Sequence, residues 1–150
     1  MKASLSAKAM PLLLLSCSLM CAPRVAEARP ANDKYNAAGI TDAAAADKFF
    51  TSLQRAVALN QKSKVALMVS FPLRVRAGGG HMTLKHPSAL LRHYNVVFNR
   101  KVKRALATQR SANLFSNWQG VMIGRGEIWF NQMPGKPDKP AVFKITAINN

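Results

Sequence analysis

Residues 114–132 read LFSNWQGVMIGRGEIWFNQ. β-Branched and aromatic residues crowd both sides of Gly124-Arg125-Gly126, a composition that favours half-buried strands over helix. The spacing predicts one strand over 114–123 and another over 127–132, joined by a hairpin or bulge at the two glycines. Met133 to Pro140 holds three prolines and a glycine and reads as a loop. Val142 to Ile148 then predicts a third strand, running nearly to Asn150.

Upstream the period changes. Pro87 and Ser88 open a helix, since proline is tolerated in the first turn. Leu90, Leu91, Tyr94, Val97, Phe98, Val102 and Ala105 fall on one broad apolar arc. Arg92, His93, Arg100, Lys103, Arg104 and Arg110 fall opposite. Lys101 lands among the apolar positions. One helix with a snorkelling lysine accommodates this, and so do two short helices broken near Asn99. Before them, Phe71, Leu73 and Val75 alternate with Arg74 and Arg76, the pattern of a half-buried strand, with Pro72 marking an edge or a bulge. Gly78-Gly79-Gly80 is a turn, and His81 to Lys85 is the returning strand. A phosphate-cradling loop would need a Gly-Lys-Ser/Thr ending that leads into a helix, which this stretch lacks. Thr41 and Asp42 are N-cap candidates for a helix over 42–59, with Phe49, Phe50, Leu53 and Val57 at helical spacing. Lys62 to Met68 fits a second short helix or the start of a strand. The predicted class is α+β, a curved antiparallel sheet packed on helices.

The first 28 residues read as an address. Lys2 and Lys8 form a positive start, Met10 to Ala22 a short apolar run, and Ala26-Glu27-Ala28 a small-x-small cleavage pattern. The chain is therefore expected to be exported, periplasmic or secreted. Leu14-Leu15-Ser16-Cys17 resembles a lipobox, so anchoring through Cys17 is the alternative. Cleavage after Ala28 would remove both cysteines, and with them any disulfide, thiolate nucleophile or cysteine metal ligand. Residues 29–40 are polar and small and predict a flexible lead-in, leaving 41–150 as one domain.

The whole chain carries 22 Lys+Arg against 6 Asp+Glu, a net charge of +16. Without Lys2, Lys8, Arg24 and Glu27 it retains 19 basic and 5 acidic side chains, +14 over 122 residues. The imbalance owes much to missing acids, because no Asp or Glu occurs in the 78 residues from Lys48 to Arg125.

Several stretches share a likeness. They are Val65-Ala66-Leu67-Met68-Val69-Ser70-Phe71-Pro72-Leu73, the helix bearing Leu91, Tyr94 and Phe98, residues 120–130, and the ending Ala147-Ile148-Asn149-Asn150. Together they resemble small exported bacterial proteins with the cone-shaped nuclear-transport-factor-two-like fold, over about residues 41–150. The resemblance implies a sheet wrapped around a central pocket and closed by the first helix. That superfamily includes isomerases, dehydratases and binding modules, so it does not settle an activity.

Its enzymes use an acidic base beside a Tyr, Asp or His. Here Glu127, the only glutamate past residue 28, would be the base and Tyr94 its partner, giving an isomerase or hydrolase. The competing reading makes Glu127 a turn or strand-edge residue that pairs with nearby Arg125 or another cation. A second carboxylate would have to come from Asp33, Asp42, Asp47 or Asp138. Tyr94, Phe98, Trp118 and Trp129 are the pocket-lining candidates. His81, His86 and His93 match no metal-ligand spacing, and no metal or cofactor is expected. Ser, His and Asp all occur, without a nucleophile-elbow signature.

Arg92, Arg100, Lys103, Arg104 and Arg110 would form a basic ridge, with Arg74 and Arg76 on a strand face. Such charge is the usual footprint of nucleic-acid binding, but export argues against specific nucleic acid as the natural ligand. An anionic partner fits better: a lipid headgroup, a cell-wall polymer or an acidic protein. A small apolar ligand is the alternative for the pocket. The expected function is a non-enzymatic binding module. The pocket enzyme and an assembly protein dimerising through its open sheet face are the competing readings.

Overall fold

The computed structural model describes residues 33–135 and 139–150. The expected signal segment, Cys17 and Asp138 lie outside the described residues.

Helix α1 (Ala43–Ala58) starts where the Asp42 carboxylate accepts a hydrogen bond from the Ala45 amide at 2.8 Å, satisfying an otherwise orphaned donor. Its Phe50, Leu53 and Ala56 are buried at helical spacing. Helix α2 (Lys62–Leu67) follows after a tight turn and buries Val65 and Ala66. Strands β1 (Val69–Ala77) and β2 (Gly80–Leu84) form the predicted hairpin, turning at Gly78 and Gly79, whose φ values of 57° and 82° suit glycine. Leu73 and Val75 are buried, whereas Arg74 and Arg76 are exposed. The β1–β6 register shifts between Val69 and Arg74, so Pro72 falls in an irregularity of the pairing. Proline has no N–H to give to the ladder, and the irregularity accommodates the missing donor.

The next helical stretch is broken. Helices α3 (Pro87–Arg92) and α4 (Tyr94–Val97) precede α5 (Arg100–Thr108). The Asn99 side chain caps α5, accepting from the Val102 amide at 3.0 Å. The break resolves the position of Lys101, and it leaves Leu91 exposed.

The predicted strand over 114–123 is two strands. β3 (Phe115–Asn117) and β4 (Gly120–Ile123) are separated by a turn at Trp118-Gln119 that the Asn117 carboxamide stabilises by accepting from the Gln119 amide. β5 (Ile128–Met133) and β6 (Val142–Asn149) complete one open six-stranded sheet in the order β2-β1-β6-β5-β4-β3. The expectation of an antiparallel sheet is corrected here: β1 pairs with β6 in parallel, and the other neighbours are antiparallel. The chain leaves β2, runs through α3–α5 and three more strands, and returns beside β1 in the same direction.

The segment read as a flexible lead-in is ordered from Asp33. Asp33–Ala38 form a 3-10 helix with Tyr35 fully buried, and Ile40 is buried beyond it. The Tyr35 hydroxyl donates to Asp47 Oδ1 at 2.6 Å, and Ser116 Oγ donates to the Lys34 carbonyl. One buried aromatic anchors a segment whose composition looked loose. On the inner side of the sheet, part-buried Phe49 of α1 packs against the core, meeting Phe130 and Phe143 at ring separations of 5.1 and 6.0 Å.

Candidate functional site

Glu127 is only 9% exposed. Its Oε2 accepts from the Arg125 amide at 2.5 Å, and Oε1 lies 3.8 Å from Lys101 Nζ. The side chain thus folds back into its own Gly124–Gly126 turn. Tyr94 is 1% exposed, and its hydroxyl has no hydrogen-bond partner. Burial pushes its phenol up to about 12, so it stays protonated at neutral pH. Neither side chain lines the surface concavities at the start of α5, on the outer sheet face or between α1 and α5.

The four expected pocket aromatics do not meet. Tyr94 and Phe98 stack on each other at 4.9 Å inside the core. Trp118 is instead 81% exposed at the β3–β4 turn, outside the lining of these concavities. Trp129 sits between buried Ile128 and buried Phe130, so strand alternation turns it to the face opposite α1.

The expected ridge is divided by the helix breaks. Arg100, Lys101 and Arg104 surround a shallow concavity of about 390 Å³ at the start of α5. Lys103, two positions from Lys101, turns instead toward Tyr94, with Nζ 5.9 Å from its ring centre. Arg92 ends α3, and Arg110 lies past the end of α5. The ridge therefore reduces to Arg100 and Arg104, one helical turn apart, joined by Lys101, which the arc had assigned to the core.

The outer sheet face gathers a second basic group that the sequence left as two isolated arginines. Cross-strand register sets Arg76 opposite His81, Arg74 opposite Thr83 and Ala147, and Trp129 opposite Ala147. Arg74, Arg76, His81, Gln119, Trp129 and Asn149 border a concavity of about 490 Å³. No periodicity in the sequence could align His81, Trp129 and Asn149, because they lie on three strands.

Among the described residues, two ion pairs form: Lys34–Asp47 at 3.0 Å and Lys101–Glu127 at 3.8 Å. The arginines of both basic groups have no carboxylate within reach there. Among the same residues, no three His, Cys, Asp or Glu side chains come together. His81, His86 and His93 lie apart, on β2, before α3 and after α3. No helix among them is long and apolar enough to cross a membrane. Comparison of the chain with protein-family models, curated proteins and solved structures finds no match.

Proposed function

We propose that this protein is an exported, non-enzymatic binding module that docks to an anionic surface through its basic side chains. The single observation carrying this reading is the group of Arg100, Lys101 and Arg104 around one concavity, with Glu127, paired to Lys101, as the one carboxylate beside it among the described residues. That carboxylate is already committed to the Arg125 amide, which leaves the arginines to an outside anion. Lipid headgroups, cell-wall polymers or an acidic protein would supply one. The cone-shaped nuclear-transport-factor-two-like arrangement belongs to the same reading. Its support is the element order, with α1 and α2 ahead of a hairpin and α3–α5 ahead of the remaining strands.

The competing readings have less support. An acid–base pair of Glu127 and Tyr94 would need both groups facing one cavity, whereas Glu127 braces a turn and Tyr94 is packed against Phe98. Dimerisation through the open sheet face would set Arg74 and Arg76 against their own copies, a like-charge cost.

The test is co-sedimentation with vesicles containing anionic lipid at low salt. Each basic residue near such a surface contributes about 1 kcal/mol, so Arg100→Glu/Arg104→Glu should weaken binding at least tenfold. Zwitterionic vesicles should bind neither protein. If the double variant binds anionic vesicles and cell-envelope fractions as strongly as the parent, the docking surface is not this one.

A further inference from the structure

A cleft on the helical side brings together lysines that the sequence keeps 41 positions apart. It encloses about 440 Å³ between α1, the α1–α2 turn, α4 and α5. Its polar lining is Gln54, Asn60, Lys62, Asn95 and Lys103, with Leu106 among the apolar walls. No acidic side chain lines it.

The two lysines converge. Lys62 Nζ lies 5.4 Å and Lys103 Nζ 5.9 Å from the centre of the same Tyr94 ring. Phe98 is stacked against that ring, so the two ammonium groups share what is left of it. Both lysine residues are only part-exposed, which weakens the screening by water of any charge they meet in the cleft. Among the described residues neither has a carboxylate partner. The tyrosine offers only its ring quadrupole, because burial keeps its phenol protonated. A bound dianion would supply the counter-charge that neither ammonium group has among the described residues.

Backbone geometry fixes the approach. Asn60 takes φ 52°, a left-handed conformation that asparagine tolerates, and ends α1 in a tight turn. The Lys62 amide donates to the Asn60 carbonyl at 2.9 Å, setting Lys62 at the start of α2 across from α5. Gln54 donates from Nε2 to the carbonyls of Leu106 and Gln109 at 2.6 and 3.0 Å, tying α1 to the end of α5 and holding the walls together.

We propose that this cleft binds a phosphate-type dianion, as inorganic phosphate or the phosphomonoester of a small soluble metabolite, between Lys62 and Lys103. The carboxamides of Asn60 and Asn95 are the flanking donors. A doubly charged tetrahedral oxyanion suits two point-charge ammonium groups, whereas planar carboxylates favour a guanidinium fork. The volume admits the phosphate with a small organic group attached. The site uses neither Arg100 nor Arg104, so it stands or falls apart from the docking surface.

The experiment titrates the purified protein with inorganic phosphate, and separately with glycerol phosphate, by calorimetry at low ionic strength in a chloride background. The ¹⁵N-detected amide spectra follow the same titration. One saturable site is expected, with the Asn60 and Asn95 side-chain amides shifting. Lys62→Gln and Lys103→Gln should each weaken binding about tenfold or more, the loss expected of one charge-assisted contact. Arg100→Gln/Arg104→Gln should leave it unchanged. Tighter binding of glycerol phosphate than of phosphate would assign the site to phosphomonoesters, and equal binding would assign it to phosphate itself. A titration that does not saturate, shifts spread over Arg100 and Arg104, or Lys62→Gln binding like the parent would overturn the proposal. The amide spectrum of each lysine variant also reports its folding, and Lys→Arg variants serve if a Gln variant is misfolded.

Discussion

Gly124→Ala tests whether Glu127 belongs to its turn. Gly124 has φ +70°, and a Cβ built there would lie 2.3 Å from Glu127 Oε2 and 2.8 Å from Ala105 Cβ. Three costs follow. A left-handed backbone costs a non-glycine residue about 1–2 kcal/mol. Overpacking against α5 costs about 1–3 kcal/mol. Displacing the carboxylate from the Arg125 amide forfeits a charge-assisted hydrogen bond, about 1.5–3 kcal/mol. These overlap, because moving the carboxylate relieves part of the clash, so we expect a loss of about 3–5 kcal/mol. Urea unfolding should show it as a lower midpoint with an unchanged slope. A double-mutant cycle with Glu127→Ala isolates the contact. With the carboxylate gone, Gly124→Ala should cost about 1–2 kcal/mol less than it does in the parent, leaving the backbone and Ala105 terms. A Gly124→Ala protein within about 0.5 kcal/mol of the parent, or strictly additive costs, would refute this role for Glu127.

Two further outcomes concern the buried tyrosines. Tyr94→Phe removes a buried hydroxyl that has no partner, so it should be neutral or stabilise by up to about 1 kcal/mol in urea unfolding at pH 7. Because the folded Tyr94 phenol is raised from 10.0 to about 12, the parent should lose stability as pH rises through that window, and Tyr94→Phe should lose less. Tyr35→Phe should cost about 1–2 kcal/mol at pH 7, the low end for a bond to a charged group, since Asp47 is partly exposed. Burial and Asp47 also raise the Tyr35 phenol, so its contribution is likewise full below pH 10.0 and falls above it; thermal melts at pH 7, 9 and 10.5 follow both.

Local signals in the sequence were legible where one physical cause acts over a few residues. The Asp42 cap, the alternation through Arg74 and Arg76 and the glycine turn after Ala77 all hold; of the two readings left open for the long helical stretch, the break at Asn99 is the one found, with a further break at His93. The reading of Glu127 as a turn residue beside a cation matches its contacts, although the cation is Lys101, 26 positions away. The expected pocket aromatics part company for different reasons: Tyr94 and Phe98 pack in the core, Trp129 borders the outer-face concavity, and Trp118 faces water. Composition marks Trp118 as apolar, but only the turn at Trp118-Gln119 decides that it faces water.

By itself the sequence determined the α+β class, most element positions, and a basic chain almost devoid of acids along 78 residues. Period, capping and turn chemistry act within a turn or two of chain, so they are written locally. Only the tertiary structure decided that β1 runs parallel to β6, that Tyr35 anchors the segment before α1, and which cations become neighbours. Those outcomes depend on contacts between residues far apart in the chain. Strand register alone sets Arg76 against His81, and helix packing alone brings Lys62 and Lys103 to 5.4 and 5.9 Å from the centre of one tyrosine ring.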